Sequence, residues 1–480
     1  MLNPKPKNAY AFFRTGVKGT CPLAGVWGQR PHKKSKNKAT VGATLEAINL
    51  SKYRTVLDKN YIRKLGRVSQ VVGLTIESVG PDVNIGQTCL IKSGKYGESV
   101  LSEVVGFKNN NILLMPLGNM QGVGPGNIVQ AQERPITVSV SDSLLGRVLD
   151  GLGRPMDGLP EIEDGKDYFV TNPAPDPLTR NRIDTPLTLG VKAIDGLLTI
   201  GKGQRVGIFA GSGVGKSTLM GMIARNTHAD INVIALVGER GREVREFIEK
   251  DLGEEGLKRS VLVIATSDTP ALVRLKAAEV ATSIAEYFRE QGKDVMLLMD
   301  SLTRYAMAQR EVGLAIGEPP VSRGYTPSVF STIPRLLERA GNSDKGSITG
   351  LYTVLVDGDD LTEPVTDTAR SVLDGHIVLS RKIANRNHYP AIDVLASVSR
   401  CMSDIVDKEH KHDANEIKKH MAIYANSEDL INIGAYVKGS SAEIDDAIAK
   451  HAPIRDFLVQ ATEDKFSFEE SLNIMKEIVG

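Results

Sequence analysis

The spacing of apolar residues changes twice along the chain. From Leu65 to about Gln132, short alternating runs such as "GRVSQVVGLTIESVG", "QTCLIKSG" and "NNNILLMPLG" are broken by Gly, Pro and Asn, the pattern of a small antiparallel β-barrel. Beyond "LLGRVLDGLGRPMDG" and the Pro-rich "NPAPDPLTRNRIDTPLTLG", apolar runs alternate with helical stretches. Such runs suit strands buried on both faces, so a mostly parallel sheet with crossover helices is expected, with strands at 205–210, 232–237, 261–265, 295–299 and 349–356. After "SDTP" a helix is predicted with Thr269 as its cap, Pro270 at its first position, and Leu272, Leu275, Val280, Ile284 and Phe288 on its packing side. After Arg400 the chain becomes charged and helical to its end.

These changes of pattern, with the charge of the first fifty residues, divide the chain into four parts: a basic extension over 1–50, a docking helix and barrel over 51–132, an α/β domain over 133–400, and a helical domain over 401–480. In the docking segment Leu45, Ile48, Tyr53 and Val56 have loosely helical spacing, which suits a docking helix or local packing on the barrel equally. At 480 residues the chain is long enough for several cores. The longest apolar runs, "VIALV" and "VMLLM", fall far short of the ~20 residues that span a bilayer.

Net charge is only +1, which argues against the electrostatic footprint of a dedicated nucleic-acid binder. The first fifty residues are the exception, being rich in Lys and Arg with no acid before Glu46. They read as a solvated, disordered extension, or as an arm for anionic lipid or a partner. Cys21, Cys89 and Cys401 are far apart and form no CxxC pair, so neither a disulfide framework nor a zinc knuckle is suggested and a reducing cytoplasm is expected.

Chemistry concentrates in "AGSGVGKST" between a predicted strand and a predicted helix. Its glycines, Gly211, Gly213 and Gly215, let successive amides point inward around phosphate oxygens, with Ser212, Val214 and Thr218 completing the loop. Lys216 would neutralise the β and γ phosphates and Ser217 would ligate Mg²⁺. Ala210 stands where the usual motif has its first glycine. Asp300 ends the apolar strand "DVMLLMD" and is placed to hold the metal directly or through water. Glu239 in "VGERGRE" lies at the same sheet edge and can orient or deprotonate water; Glu243, Arg245 and Glu246 read as surface charge on the following helix. ATP and Mg²⁺ are the expected ligands.

With those motifs, "LLMDSLTRYAMAQRE", "GYTPSVFSTIPRLLERAG" and "PAIDVLASVS" resemble the rotary-type ATPase family that includes the catalytic subunits of ATP synthases. The likeness runs from about Leu65 to the C-terminus. "VVGLTIESVGPDVNIGQ", "NILLMPLG" and "GIFAGSGVGKSTLMGMIARNT" are most similar to its flagellar type III protein-export branch, with the injectisome ATPases as near neighbours. The resemblance implies a RecA-like core and a homohexamer with nucleotide at subunit interfaces. Arg240 and Arg304 match supporting arginines, Tyr389 the aromatic that packs on adenine, and Arg400 the arginine finger delivered from the adjacent subunit; a structural salt bridge is the alternative for Arg400. Glu239 matches the acid of catalytic members, where silent subunits carry Gln.

The implied activity is Mg²⁺-dependent ATP hydrolysis that drives unfolding, chaperone release and delivery of exported proteins. The implied partners are a stator-type regulator, a central stalk protein and the export gate. The implied location is the cytoplasm, peripherally against the inner face of the membrane. A rotary synthase subunit and an RNA motor are the alternatives; the barrel's scattered Tyr96 and Phe107, with Trp27 outside it, argue against RNA. His410, His412 and His420 are expected on a solvated helical face rather than around a metal, Cys401 as a packing residue, and Asp357, Asp359 and Asp360 as interface or turn residues.

Overall fold

A computed structural model describes residues 63–92, 99–132, 134–356, 360 and 362–480. The basic extension, the docking segment, Tyr96, Asp357 and Asp359 lie outside the described residues. The alternating segment closes into a six-stranded barrel in the order β1-β2-β5-β4-β3-β6. Its strands are β1 (Leu65–Val72), β2 (Thr75–Val79), β3 (Thr88–Lys92), β4 (Ser99–Lys108), β5 (Asn111–Pro116) and β6 (Ile128–Ala131). Val68, Ile76, Cys89, Ile91, Val104, Leu114 and Val129 fill its interior. Closure leaves the barrel no free edge.

Two short strands, β7 (Thr137–Val140) and β9 (Lys166–Phe169), pair with each other beyond the barrel. The central sheet runs β17-β16-β10-β15-β13-β11-β12-β8, with β14 attached to β15. Its strands are β8 (Val148–Asp150), β10 (Arg205–Ala210), β11 (Ile231–Glu239), β12 (Ser260–Thr266), β13 (Asp294–Asp300), β14 (Gly341–Asn342), β15 (Ser347–Leu355), β16 (Gly375–Leu379) and β17 (Ile392–Ser399). All ladders are parallel except those of β14 and β17.

Strand alternation sorts the core onto two faces. Val233, Ala235 and Val237 of β11 pack with Val280, Ile284 and Phe288 from the helix Ala271–Glu290. Ile234 and Leu236 face the other way, onto Leu219, Met220 and Ile223 of the helix Lys216–Asn226. Each such fully buried side chain contributes roughly 1.5–3 kcal/mol. The five expected strands all form, but the helix after "SDTP" starts one residue late. Pro270 holds the capping position without a side-chain cap bond, and the Thr269 hydroxyl donates to the Thr266 carbonyl at 2.7 Å.

One polar and one apolar joint tie the parts together. Lys276, on the long helix, is buried between Glu103 of the barrel at 3.1 Å and Glu279 at 3.0 Å. At the C-terminal end the helices Lys408–Asn432, Ala442–Leu458 and Phe468–Val479 place Ile417, Phe457 and Met475 in the same cluster as the Lys216–Asn226 helix. The last of them opens on a capping box formed by Ser467 and Glu470. His410 and His420 are buried, against the expected solvated face. Helix Lys408–Asn432 turns them inward, and the His410 Nε2 lies 2.6 Å from the Gly196 carbonyl. No helix among the described residues is long and apolar enough to cross a membrane.

Candidate active site

The phosphate loop leaves β10 at Ala210 and enters the helix Lys216–Asn226. Gly213 (φ 76°) and Gly215 (φ 87°) take backbone conformations that a Cβ would strain. Gly215 caps the helix with no side-chain hydrogen bond, so the helix N-terminus presents its amides to the loop's interior, a ready anion site. Ala210 is buried in the sheet core at 1 % exposure, which explains how a small residue serves there.

Lys216 extends from this loop toward the ends of two neighbouring strands. Its Nζ lies 2.5 Å from Asp300 Oδ1, at the end of β13, and 3.6 Å from Glu239 Oε1, at the end of β11. β11 and β13 are adjacent and parallel, so both carboxylates emerge at the same sheet edge. Burial opposes the charge on Lys216, but Asp300 and then Glu239 hold its ammonium above the ordinary lysine range. Burial, and then the charge of Asp300, push Glu239 up to about 7 against the pull of Lys216; Glu243 adds to the rise. A carboxyl poised near neutrality suits a group that accepts a proton from water.

Asp300 shares a small cavity with Ser217, Glu239 and Glu243. This set of hard oxygen donors fits Mg²⁺, which uses one or two carboxylates and takes its other ligands from phosphates and water. Among the described residues, no cluster of three or more His, Cys, Asp or Glu could hold a metal by itself.

The other expected residues fall into two groups. Tyr389 belongs with the loop, since a Cβ on Gly215 would touch its ring at 3.5 Å, and it is 41 % exposed. Arg304 also belongs here. Its stem lies over Gly238, where a Cβ would meet it at 2.9 Å, and its buried Nε has no hydrogen-bond partner among the described residues. Arg240 has a side chain 77 % exposed and pairs at 3.5 Å with Glu243, which lines the cavity beside Asp300 and Glu239.

Arg400 is at the opposite end of the sheet. Its amide bonds to the Asp374 carbonyl, just before β16, and its guanidinium reaches only the Arg370 carbonyl at 3.3 Å. β16 must run its full 5 residues, from Gly375 to Leu379, before it draws level with Ala210, a distance of about 17 Å. Arg400 is exposed and lies outside its own chain's phosphate site. Asp360 accepts from Thr362 and pairs with Arg323 at 3.0 Å, a turn fixed by an ion pair.

Sequence reasoning missed two contacts. Thr353 Oγ1 donates to Asp300 Oδ1 at 2.8 Å, and its signal was a single threonine in the run "LYTVLV". Arg381 donates to the Ser212 carbonyl of the loop at 3.4 Å; no local pattern marks it.

Comparison with known proteins agrees with this geometry. The ATP synthase alpha/beta family matches through its beta-barrel domain at residues 68–132 and its nucleotide-binding domain at 190–399. The T3SS EscN ATPase C-terminal domain matches residues 406–477. The flagellum-specific ATP synthase of Bacillus subtilis is 56 % identical over 419 residues, covering 87 % of this chain and 96 % of that protein. The type 3 secretion system ATPase of Xanthomonas euvesicatoria is 50 % identical over 416 residues, covering 87 % and 94 %. The assembled ATPase EscN of enteropathogenic E. coli, solved in complex with its central stalk EscO, superposes with a TM-score of 0.80 at 48 % identity, over 86 % of this chain and all of that one.

Proposed function

The chain belongs to the ATP synthase alpha/beta family, in the branch of flagellum-specific and type III secretion ATPases, and from that membership we propose that it hydrolyses ATP to energise flagellar type III protein export. The observation that carries the chemistry is Lys216 held between Asp300 and Glu239 at the head of the phosphate-loop helix. In the proposed reaction Lys216 turns from the carboxylates to the β and γ phosphates, which the loop amides cradle. Glu239 orients the attacking water and takes its proton. Ser217 and Asp300 would hold Mg²⁺, which supplies charge neutralisation on the phosphates when bound. Tyr389 packs on the adenine, and Arg304 supports the phosphates with its unpartnered guanidinium edge.

Arg400 works in trans. The length of β16 separates it from its own loop, so its charge reaches a γ-phosphate only across an interface with a second copy. We take the assembly to be a homohexamer with six such interfaces, as the family resemblance implies, with a central stalk protein as partner, as the relative EscN has its central stalk EscO. The remaining expected partners, a stator-type regulator, the export gate, chaperones and exported proteins, belong to the same proposal, as does peripheral contact with the inner face of the membrane. Identity favours the flagellar apparatus, at 56 % against 50 % for the secretion relative. An RNA motor needs a stacking platform, and Phe107 is the only aromatic among the described barrel residues.

The test is ATPase turnover of wild type, Lys216→Ala and Glu239→Gln, followed by replacement of the chromosomal gene with each variant. Turnover should fall by 10²-fold or more in both, and flagella should be lost while respiration-linked ATP synthesis continues. Wild-type turnover in either variant would end the assignment.

A further inference from the structure

Thr353 sits in β15 with no exposure to solvent. β15 alternates, sending Tyr352 and Val354 to the face of the long helix and Leu351 to the face of the phosphate-loop helix. Thr353 shares the phosphate-loop face with Leu351, where valine would be the apolar residue of the same shape. A hydroxyl buried there costs free energy unless it is bonded. Its shorter bond goes to Asp300: Thr353 Oγ1 is 2.8 Å from Oδ1, against 3.4 Å to the Met299 carbonyl, and Oδ1 is the same oxygen that Lys216 Nζ approaches at 2.5 Å. Both donors therefore load one carboxylate oxygen and leave Oδ2 for the cavity that Asp300 shares with Ser217 and Glu239.

The two donors differ in what a nucleotide does to them. Lys216 belongs to the phosphate loop and carries a charge that phosphates attract. Thr353 is a β-branched residue inside a buried strand, with its χ1 restricted, and it stays where it is. An aspartate has a broad, roughly two-fold χ2 well, so without a fixed donor the carboxylate can rotate as Lys216 departs.

We propose that Thr353 is a positioning residue that fixes the carboxylate of Asp300 by holding Oδ1, so that Oδ2 faces the Mg²⁺ side of the site. The inference rests on the reading of Asp300 as the metal-side acid.

The test is Mg²⁺ titration of fluorescent ADP-analogue binding to the full chain, for wild type, Thr353→Val, Thr353→Ser and Thr353→Ala. Losing one hydrogen bond to a charged group should raise the half-saturating Mg²⁺ concentration about tenfold in Thr353→Val, while affinity in EDTA stays at the wild-type level and Thr353→Ser restores the midpoint. Serine and alanine both lack the methyl group, so their difference isolates the hydroxyl even if the valine variant does not fold. An unchanged midpoint in folded Thr353→Val, equal midpoints for the serine and alanine variants, or an equal loss of affinity in EDTA would overturn the proposal. Nucleotide binding by the wild type that ignores Mg²⁺ would overturn the reading of Asp300 and this inference with it. Wild-type Mg²⁺ dependence beside an unmoved valine variant would overturn this inference alone.

Discussion

Mixing two inactive variants tests the division of the site between copies. Lys216→Ala removes the cation from the phosphate loop, and Arg400→Ala removes the guanidinium at the far end of the sheet, about 17 Å away along β16. Each variant alone should lose 10³-fold or more in turnover, the scale of a missing arginine finger or loop lysine in phosphoryl transfer. A functional interface needs an intact loop from one copy and an intact arginine from the next. In rings assembled from equal amounts of the two variants, half the copies supply each intact half, so about a quarter of interfaces are complete. The assay is steady-state phosphate release after the two proteins are mixed, dissociated and reassembled. Titrating wild type with Lys216→Ala calibrates how far one dead site silences its ring, and the expected recovery is a quarter of wild-type turnover scaled by that factor. No recovery above the sum of the parents, in rings whose calibration shows independent sites, would refute the two-copy arrangement.

Glu243→Gln removes one of the causes that raise Glu239. Glu239 titrates near 7, so kcat/KM should fall as pH drops through that value and the base takes a proton; in the variant this acid limb should move to lower pH, as a pH-rate profile would show. Tyr389→Ala should weaken binding of an ATP analogue by roughly 5- to 100-fold, the range of a lost base-stacking contact, with inorganic triphosphate binding unaffected, both measurable by calorimetry. Arg339 and Glu286 form a doubly bonded pair with side chains only 5 % and 2 % exposed. Arg339→Met strands a buried carboxylate and should cost ~3–5 kcal/mol in denaturant unfolding, and adding Glu286→Leu should restore part of the loss.

The phosphate loop, Glu239 and Asp300 were legible because each follows a strand whose apolar run is visible, and strands of a parallel sheet deliver their C-terminal ends to one edge. Period and punctuation alone place Lys216 near both acids. The cap at Thr269 was misread because a threonine hydroxyl can either accept from helix amides or close a turn by donating to a nearby carbonyl, and here it donates to Thr266. His410 and His420 were misread because the Lys and Glu around them are polar whichever way the helix is turned. Packing sets its rotation: His410 reaches the Gly196 carbonyl of the Lys192–Leu197 segment, and His420 faces Asp446 of the helix Ala442–Leu458. Thr353 was missed for the opposite reason: a polar residue in an apolar run names no partner, and its partner is 53 residues away.

β16 and β17 explain how one chain can serve two sites. β17 runs antiparallel to β16, so the segment that enters it carries Tyr389 against the phosphate loop and its exit carries Arg400 beside Asp374. The strand between them has 8 residues, a reach of about 26 Å. In the proposed ring, that strand spans from the adenine of one site to the γ-phosphate of the next. The Tyr389 carbonyl also accepts from the Gln460 amide, and the Gln460 side chain bonds Lys192 N and Gly190 O. Gln460 follows the helix Ala442–Leu458, so the C-terminal helices rest on the adenine end of the same strand. A displacement of Tyr389 on nucleotide binding would therefore have two rigid outlets, one along β17 to the same chain's Arg400 at the neighbouring site and one into the C-terminal helices. Replacing Gln460 with Ala removes its side-chain bonds while leaving the Tyr389 contact, which runs through the backbone. If the side chain is what couples the helices to the nucleotide, Gln460→Ala should leave ATP-analogue affinity near wild type and abolish the nucleotide-dependent change in proteolytic protection of residues 408–458. Loss of affinity with that protection change intact would place the coupling elsewhere.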